Sequence, residues 1–134
     1  MPDVRTAVPT LARHSRLLER ASCDLSLPQY RVLALVVEGD ERAFRLAGRL
    51  AAAKPTISAL VDGLVERGLL RRCDVAGDRR GVRLQVTAAG RRALKAAETA
   101  MAARLEPVFG RLADPAAALA ALAALEEALD EAAR

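Results

Sequence analysis

The stretch Asp78-Arg79-Arg80-Gly81-Val82-Arg83-Leu84-Gln85-Val86-Thr87-Ala88-Ala89-Gly90 decides how this chain is read. It joins a basic turn tip to a short strand and then to a helix start, which is how a wing is built. Upstream, Leu69 to Asp74 reads as the partner strand, with Val75 to Gly81 as the tip and Gly77 and Gly81 letting the chain turn. Before that, Leu46 to Ala52 reads as a short helix, and a second helix runs from Lys54 or Pro55 to Arg67, stopped by Gly68. In this second helix Ile57, Leu60, Val61, Leu64 and Val65 recur at steps of three and four, so they form one buried stripe. Lys54, Thr56, Ser58, Ala59, Asp62 and Gly63 fall on the opposite face. Helix, turn, helix and basic hairpin predict a mainly α fold with a small β-hairpin wing: a winged helix-turn-helix.

Charge points the same way. The net charge of +4 is modest until divided by region. From Arg42 to Arg92 there are twelve basic and four acidic side chains, a net of +8, whereas the rest of the chain carries −4. A basic centre between acidic ends is the electrostatic footprint of phosphate binding. The N-terminal part of the Lys54 helix is the part that would enter a major groove. There Lys54 can donate to guanine acceptors, and Thr56 and Ser58 can bond base edges or phosphates. Pro55 and Ala59 flank them. Arg79 and Arg80 on the protruding tip suit a narrow minor groove, where negative potential is enhanced. Asp78 is expected to pair with a nearby arginine and hold the wing's shape. Arg45, Arg49 and Arg72 are the expected phosphate contacts.

At 134 residues the chain is long enough for one domain. An amphipathic helix is expected to start near Pro9 or Thr10, with Val8, Leu11, Leu17 and Leu18 as its apolar positions. Ser22 to Leu27 is a break. Pro28 opens another helix, with Tyr30, Leu33, Ala34 and Val37 at helical spacing and Glu38-Gly39-Asp40 ending it. Phe44 is expected as a single strand position pairing with the wing. Beyond the wing, Thr87 to Arg111 carries Leu94, Ala97, Met101, Leu105, Val108 and Leu112 as a seam, with a kink expected at Pro107. Asp114-Pro115 starts a final helix with Leu119, Leu122, Leu125 and Leu129 on one stripe. Both terminal stripes need covering, and helices intertwined from two chains satisfy them better than packing within one.

Several classes are excluded or disfavoured. No purely apolar run, neither Val32 to Val37 nor the longer Ala116 to Leu125, reaches the roughly 18 residues of a membrane span, and no targeting segment is visible, so a cytoplasmic protein without membrane contact is expected. Cys23 and Cys73 do not make a disulfide framework, and with one histidine a metal site lacks ligands. Neither a nucleophile-base pair nor a phosphate-cradling Gly loop is present, so no enzymatic activity and no cofactor are expected.

The pattern Asp-x-Arg, five residues, Leu-Thr-x-x-Gly resembles the signature of the MarR family of transcriptional regulators, matched by Asp78, Arg80, Thr87 and Gly90 with Val86 in place of Leu. The segments Lys54-Pro55-Thr56-Ile57-Ser58, Leu60-Val61-Asp62 and Glu66-Arg67-Gly68-Leu69 are similar to the family's recognition region. The resemblance covers Pro28 to Arg92 in detail. It implies a homodimeric, ligand-responsive repressor or activator that binds a pseudo-palindromic operator in double-stranded DNA. It divides the single domain of residues 1–134 into an N-terminal dimerisation helix (1–24), a DNA-binding lobe (25–92) and C-terminal dimerisation helices (93–134). Family pockets lie between the dimer helices and the DNA-binding lobe, which makes Arg13, His14, Tyr30 and Arg31 candidates for contacts with a small anionic aromatic effector. Cys23 does not fall where one branch of the family carries a peroxide-sensing cysteine. Where relatives often carry arginine on the recognition helix, this chain has Ala59 and Gly63, and Ala53 provides no side-chain cap. That cation-poor face keeps a second reading open, a winged-helix protein-interaction module.

Overall fold

The computed structural model describes the whole chain except Ser22, residues 40–42 and residues 75–81, and the side chains of Ala43, Phe44 and Asp74. A short 3-10 turn at Val4–Thr6 precedes α1 (Val8–Glu19), α2 (Leu27–Glu38), α3 (Ala43–Arg49) and α4 (Lys54–Glu66). Strands β1 (Leu70–Asp74) and β2 (Val82–Val86) follow, then α5 (Ala88–Phe109) and α6 (Pro115–Ala132). The strands pair antiparallel, with Leu70 opposite Val86 and Asp74 opposite Val82. The mainly helical fold with a hairpin wing is therefore as the sequence predicts.

The core belongs to the middle of the chain. Val32, Leu33, Leu46, Leu64, Leu70 and Leu84, from α2, α3, α4 and both strands, are its largest fully buried side chains. Leu94, Ala97 and Met101 of α5 close it from one side. Neither α1 nor α6 contributes a buried residue. We call the unit from α2 to β2 the reader lobe.

Local chemistry fixes the helix ends. Ser26 caps α2 in a reciprocal box: its Oγ accepts from Gln29 N at 3.2 Å, and Gln29 Oε1 accepts from Ser26 N at 3.0 Å. Pro28 thus sits one residue inside the helix that Leu27 begins. Gly39, at φ +118, ends it, a conformation that favours glycine. Asp114 caps α6 by accepting from Ala117 N at 3.1 Å.

Thr87 makes the most consequential junction. Its Oγ donates to the Gly68 carbonyl at 2.6 Å and accepts from Gly90 N at 3.0 Å, while its own N–H donates to the Leu69 carbonyl at 3.1 Å. The start of α5 is thereby fastened to the exit of α4. A Cβ on Gly90 would lie 2.1 Å from the Leu69 carbonyl oxygen, so only glycine permits this approach.

Three expectations are corrected. Phe44 is not a strand residue: it lies in α3, because the helix that buries Leu46, one turn before the buried Leu50 just past its end, begins upstream at Ala43. That helix ends at Arg49 rather than Ala52, because Ala51 adopts φ +50 to turn the chain into α4. In α2 the buried face is Val32, Leu33 and Val36, with Tyr30 and Ala34 half-buried and Val37 exposed. A continuous apolar run from Val32 to Val37 has no periodicity to reveal its phase; packing against α4, α5 and β2 sets it.

The left-handed Ala51 is a strained position for a residue with a Cβ. Ala51→Gly is expected to raise stability by up to about 1 kcal/mol, read as a higher urea midpoint. An unchanged or lower midpoint would contradict the left-handed turn.

Candidate nucleic-acid interface

Burial of Ile57, Val61 and Leu64 turns the opposite face of α4 outward. Lys54, Pro55, Thr56, Ser58 and Ala59 are all exposed on its first turns. Ala53 provides no side-chain cap, so the first-turn N–H groups of α4 have no acceptor from that residue's side chain. A depression of about 350 Å³ runs from this helix start to the hairpin, lined by Ala47, Lys54, Ile57, Ser58, Arg72 and Val82 among others. The start of α4 and the wing base thus border a single surface.

The expected phosphate contacts do not share one environment. Arg45 is exposed on α3. Arg72, on β1, forms an ion pair with Asp62 of α4, bracing the wing base against that helix and offsetting the carboxylate on its outer face. Arg49 departs from the expectation: its Nη2 lies 2.7 Å from Asp130 Oδ1 of α6, so its guanidinium is engaged with the C-terminal helix. Across the hairpin, Arg71 donates to Gln85 at 2.8 Å, its register partner. Asp78, Arg79 and Arg80 lie outside the described residues.

The four effector candidates divide into two groups. Tyr30 and Arg31 line a cavity of about 610 Å³ between α2, α3 and the end of α6, together with Glu38, Arg49, Leu129 and Asp130. Arg13 and His14 line a separate depression of about 300 Å³ with Leu17 and Val108. His14 Nδ1 is 2.8 Å from the Thr10 carbonyl one turn back, which requires that nitrogen to carry the proton. Within one chain these candidates do not converge.

Tyr30 has a defined partner, its hydroxyl donating to Glu98 of α5 at 3.2 Å. Burial, reinforced by the Glu98 carboxylate, pushes the phenol up from 10.0 to about 12. Because the folded value is raised, the contribution to stability is complete below pH 10 and is lost as pH climbs towards about 12, where the unfolded chain ionises first. Tyr30→Phe is expected to flatten the fall in stability across that window, measured by urea unfolding at pH 9 to 11.5. An equal slope in both proteins would mean the phenol is not shielded.

Among the described residues no group of three or more His, Cys, Asp or Glu side chains could hold a metal ion. No described helix is long and apolar enough to cross a membrane. Both thiols are half-buried and free; Cys23 Sγ donates to the Leu25 carbonyl at 3.1 Å and Cys73 Sγ to Gln85 Oε1 at 3.4 Å. Sequence reading missed Asp62, Glu98 and Asp130 as partners. Each meets its arginine or tyrosine only through tertiary packing, and no local spacing signals it.

Comparison with known proteins gives this geometry a context. Residues 24–81 match the model of the MarR family. No curated protein matches the sequence. Among solved structures, the apo form of MarR from E. coli is 22% identical, with a TM-score of 0.77 over 96% of this chain and 98% of that one. The PcaV transcriptional regulator from Streptomyces coelicolor, in complex with its natural ligand, is 26% identical, with a TM-score of 0.71 over 100% and 99%. CouR from Rhodococcus jostii RHA1, bound to p-coumaroyl-CoA, is 24% identical, with a TM-score of 0.74 over 96% and 89%. Residues 24–81 are thus similar to the MarR family, and the chain shares the fold of the MarR structure over nearly its full length.

Proposed function

We propose that this chain is a sequence-specific DNA-binding transcriptional regulator, a ligand-responsive repressor that binds a pseudo-palindromic operator as a homodimer. The observation that carries the reading is the exposed polar start of α4, with Lys54, Thr56 and Ser58, bordering one surface with the base of a basic hairpin. A recognition helix inserted in the major groove puts those three side chains, with Pro55 and Ala59, against base edges and phosphates. Arg79 and Arg80 reach the adjacent minor groove, Asp78 holds the tip's shape, and Arg45 and Arg72 contact phosphates. Residues 25–92 form the DNA-binding lobe, while residues 1–24 and 93–134 dimerise.

The exposed stripes support the second copy. Val8 and Leu11 of α1, Val108 of α5 and Leu119, Leu122, Leu125 and Leu129 of α6 are all exposed in one chain. A monomer rarely leaves a helix stripe of four leucines open to water, as α6 does here. The effector belongs where these helices meet the reader lobe. CouR was solved with p-coumaroyl-CoA and PcaV with its natural ligand. By analogy, a small anionic aromatic molecule would be held near Tyr30 and Arg31, with Arg13 and His14 completing a pocket only if the second copy brings them to it. The protein acts in the cytoplasm and is no enzyme.

A winged-helix protein-interaction module is the second reading, favoured by Ala59, Gly63 and the exposed Asp62, which leave the recognition face poor in cations. Salt separates the two. We expect specific binding to the DNA upstream of the chain's own gene, measured at two salt concentrations, to weaken steeply as salt rises. Arg79→Ala/Arg80→Ala should lower affinity at least about tenfold and reduce the log-log salt slope by about 2. A folded dimer that binds no promoter at low salt would sink the regulator and turn the search to protein partners.

A further inference from the structure

We infer that the Arg49–Asp130 ion pair is a latch that fixes the reader lobe against the C-terminal helix. The chain leaves the lobe at Thr87, where α5 is fastened to Gly68 and Leu69, and it returns at Asp130, where α6 meets α3. Between these two anchors α5 and α6 share no extensive contact among the described residues. With no buried residue of its own, α6 has no core packing to set its angle to the lobe. Among the described residues a polar contact joins the two: Arg49 Nη2 to Asp130 Oδ1 at 2.7 Å, with the two side chains 27% and 41% exposed.

The position of Arg49 makes the latch consequential. It is the last residue of α3, two positions before the left-handed Ala51 and five before Lys54, where the recognition helix begins. A short reach of chain, Arg49 to Ala51, thus connects the α6 contact to the turn that leads into α4. Arg49 and Asp130 also both line the cavity of about 610 Å³ that Tyr30 and Arg31 border, so the latch forms part of the wall between lobe and C-terminal helix. Asp130 acts as a positioning residue: it touches no base or phosphate, and its effect on α4 passes through Arg49.

The lobe's orientation can be read without DNA, which keeps this inference separable from the regulator reading on which its consequence for DNA rests. Spin labels would be attached at Glu66→Cys and Glu127→Cys, both exposed, in a full-length Cys23→Ser/Cys73→Ser background. Diluting labelled chains into an excess of unlabelled ones leaves only the distance within a chain. The parent and Asp130→Glu, which retains the charge, should give one narrow distribution. Asp130→Asn should broaden it or add a second distance, as the latched population falls by up to about fivefold relative to the unlatched. An unchanged distribution in Asp130→Asn, or a broad one already in the parent, overturns the latch. Thermal unfolding identifies any variant that has lost its fold. A parallel titration with operator DNA separates the two proposals: loss of DNA binding by every protein, parent included, would count against the regulator and leave the latch standing.

Discussion

Gly90→Ala is expected to destabilise the chain by about 3 kcal/mol or more, at the upper end of what overpacking costs. The added methyl would meet the Leu69 carbonyl oxygen at 2.1 Å and Val86 Cγ1 at 2.8 Å. Neither obstacle is the free end of a flexible side chain. Leu69 is held by the Thr87 N–H at 3.1 Å, and Val86 is held in β2 opposite Leu70. Relief therefore requires the first turn of α5 to retreat, which breaks the Thr87 bonds to Gly68 and Gly90 and leaves polar groups unpaired. Urea denaturation measures the loss, and Gly63→Ala is the control. Gly63 lies in α4 with nothing within 4 Å of an added Cβ, so the same chemical change there should stabilise the helix by about 1 kcal/mol. If the two substitutions behave alike, α5 does not approach Leu69 as described.

Leu122→Glu/Leu125→Glu is expected to turn the proposed dimer into a monomer. The two leucines are 48% and 54% exposed within one chain, flanked along the stripe by Leu119 and Leu129 at 58% and 65%. A symmetric dimer loses the pair twice. If each leucine contributes about 1 kcal/mol by burying its remaining surface, the loss is about 4 kcal/mol, or roughly a thousandfold in dissociation constant. Burying four carboxylates adds to that. Helix content should stay constant, because α6 carries no buried residue whose packing could be disturbed. Sedimentation velocity over a concentration series reads the association directly. Unaltered self-association would assign the interface to α1 and α5 instead, and a parent chain monomeric at every concentration would remove the dimer altogether.

Much of this architecture was legible because it is written in local chemistry. The alternation of Val82 to Val86 and the flanking glycines specified a hairpin, and Leu64 and its neighbours fixed the buried face of α4 at helical spacing. Thr87 and Gly90 could be recognised as a motif, but their purpose could not. Only the packed structure brings Gly90 against Leu69 and shows why a methyl group is forbidden there. The phase of α2 was illegible for the opposite reason: six apolar residues in a row satisfy every phase, and the neighbours decide.

The candidate site divides the same way. Exposure of Lys54, Thr56 and Ser58 followed from the period of α4, since burial of one stripe dictates which residues face water. Arg49 and Arg72 read alike in sequence, as arginines in a basic segment, yet one meets Asp130 of α6 and the other Asp62 of α4. Separation along the chain explains why no reading foresaw the first: Arg49 and its partner are 81 positions apart. By itself the sequence determined the helices, the hairpin, the basic centre and the apolar stripes, because periodicity, caps and charge act over one or two turns. Tertiary structure alone decided which arginines are engaged, where α5 is anchored and which stripes stay bare, because those depend on surfaces that meet only after the chain has folded.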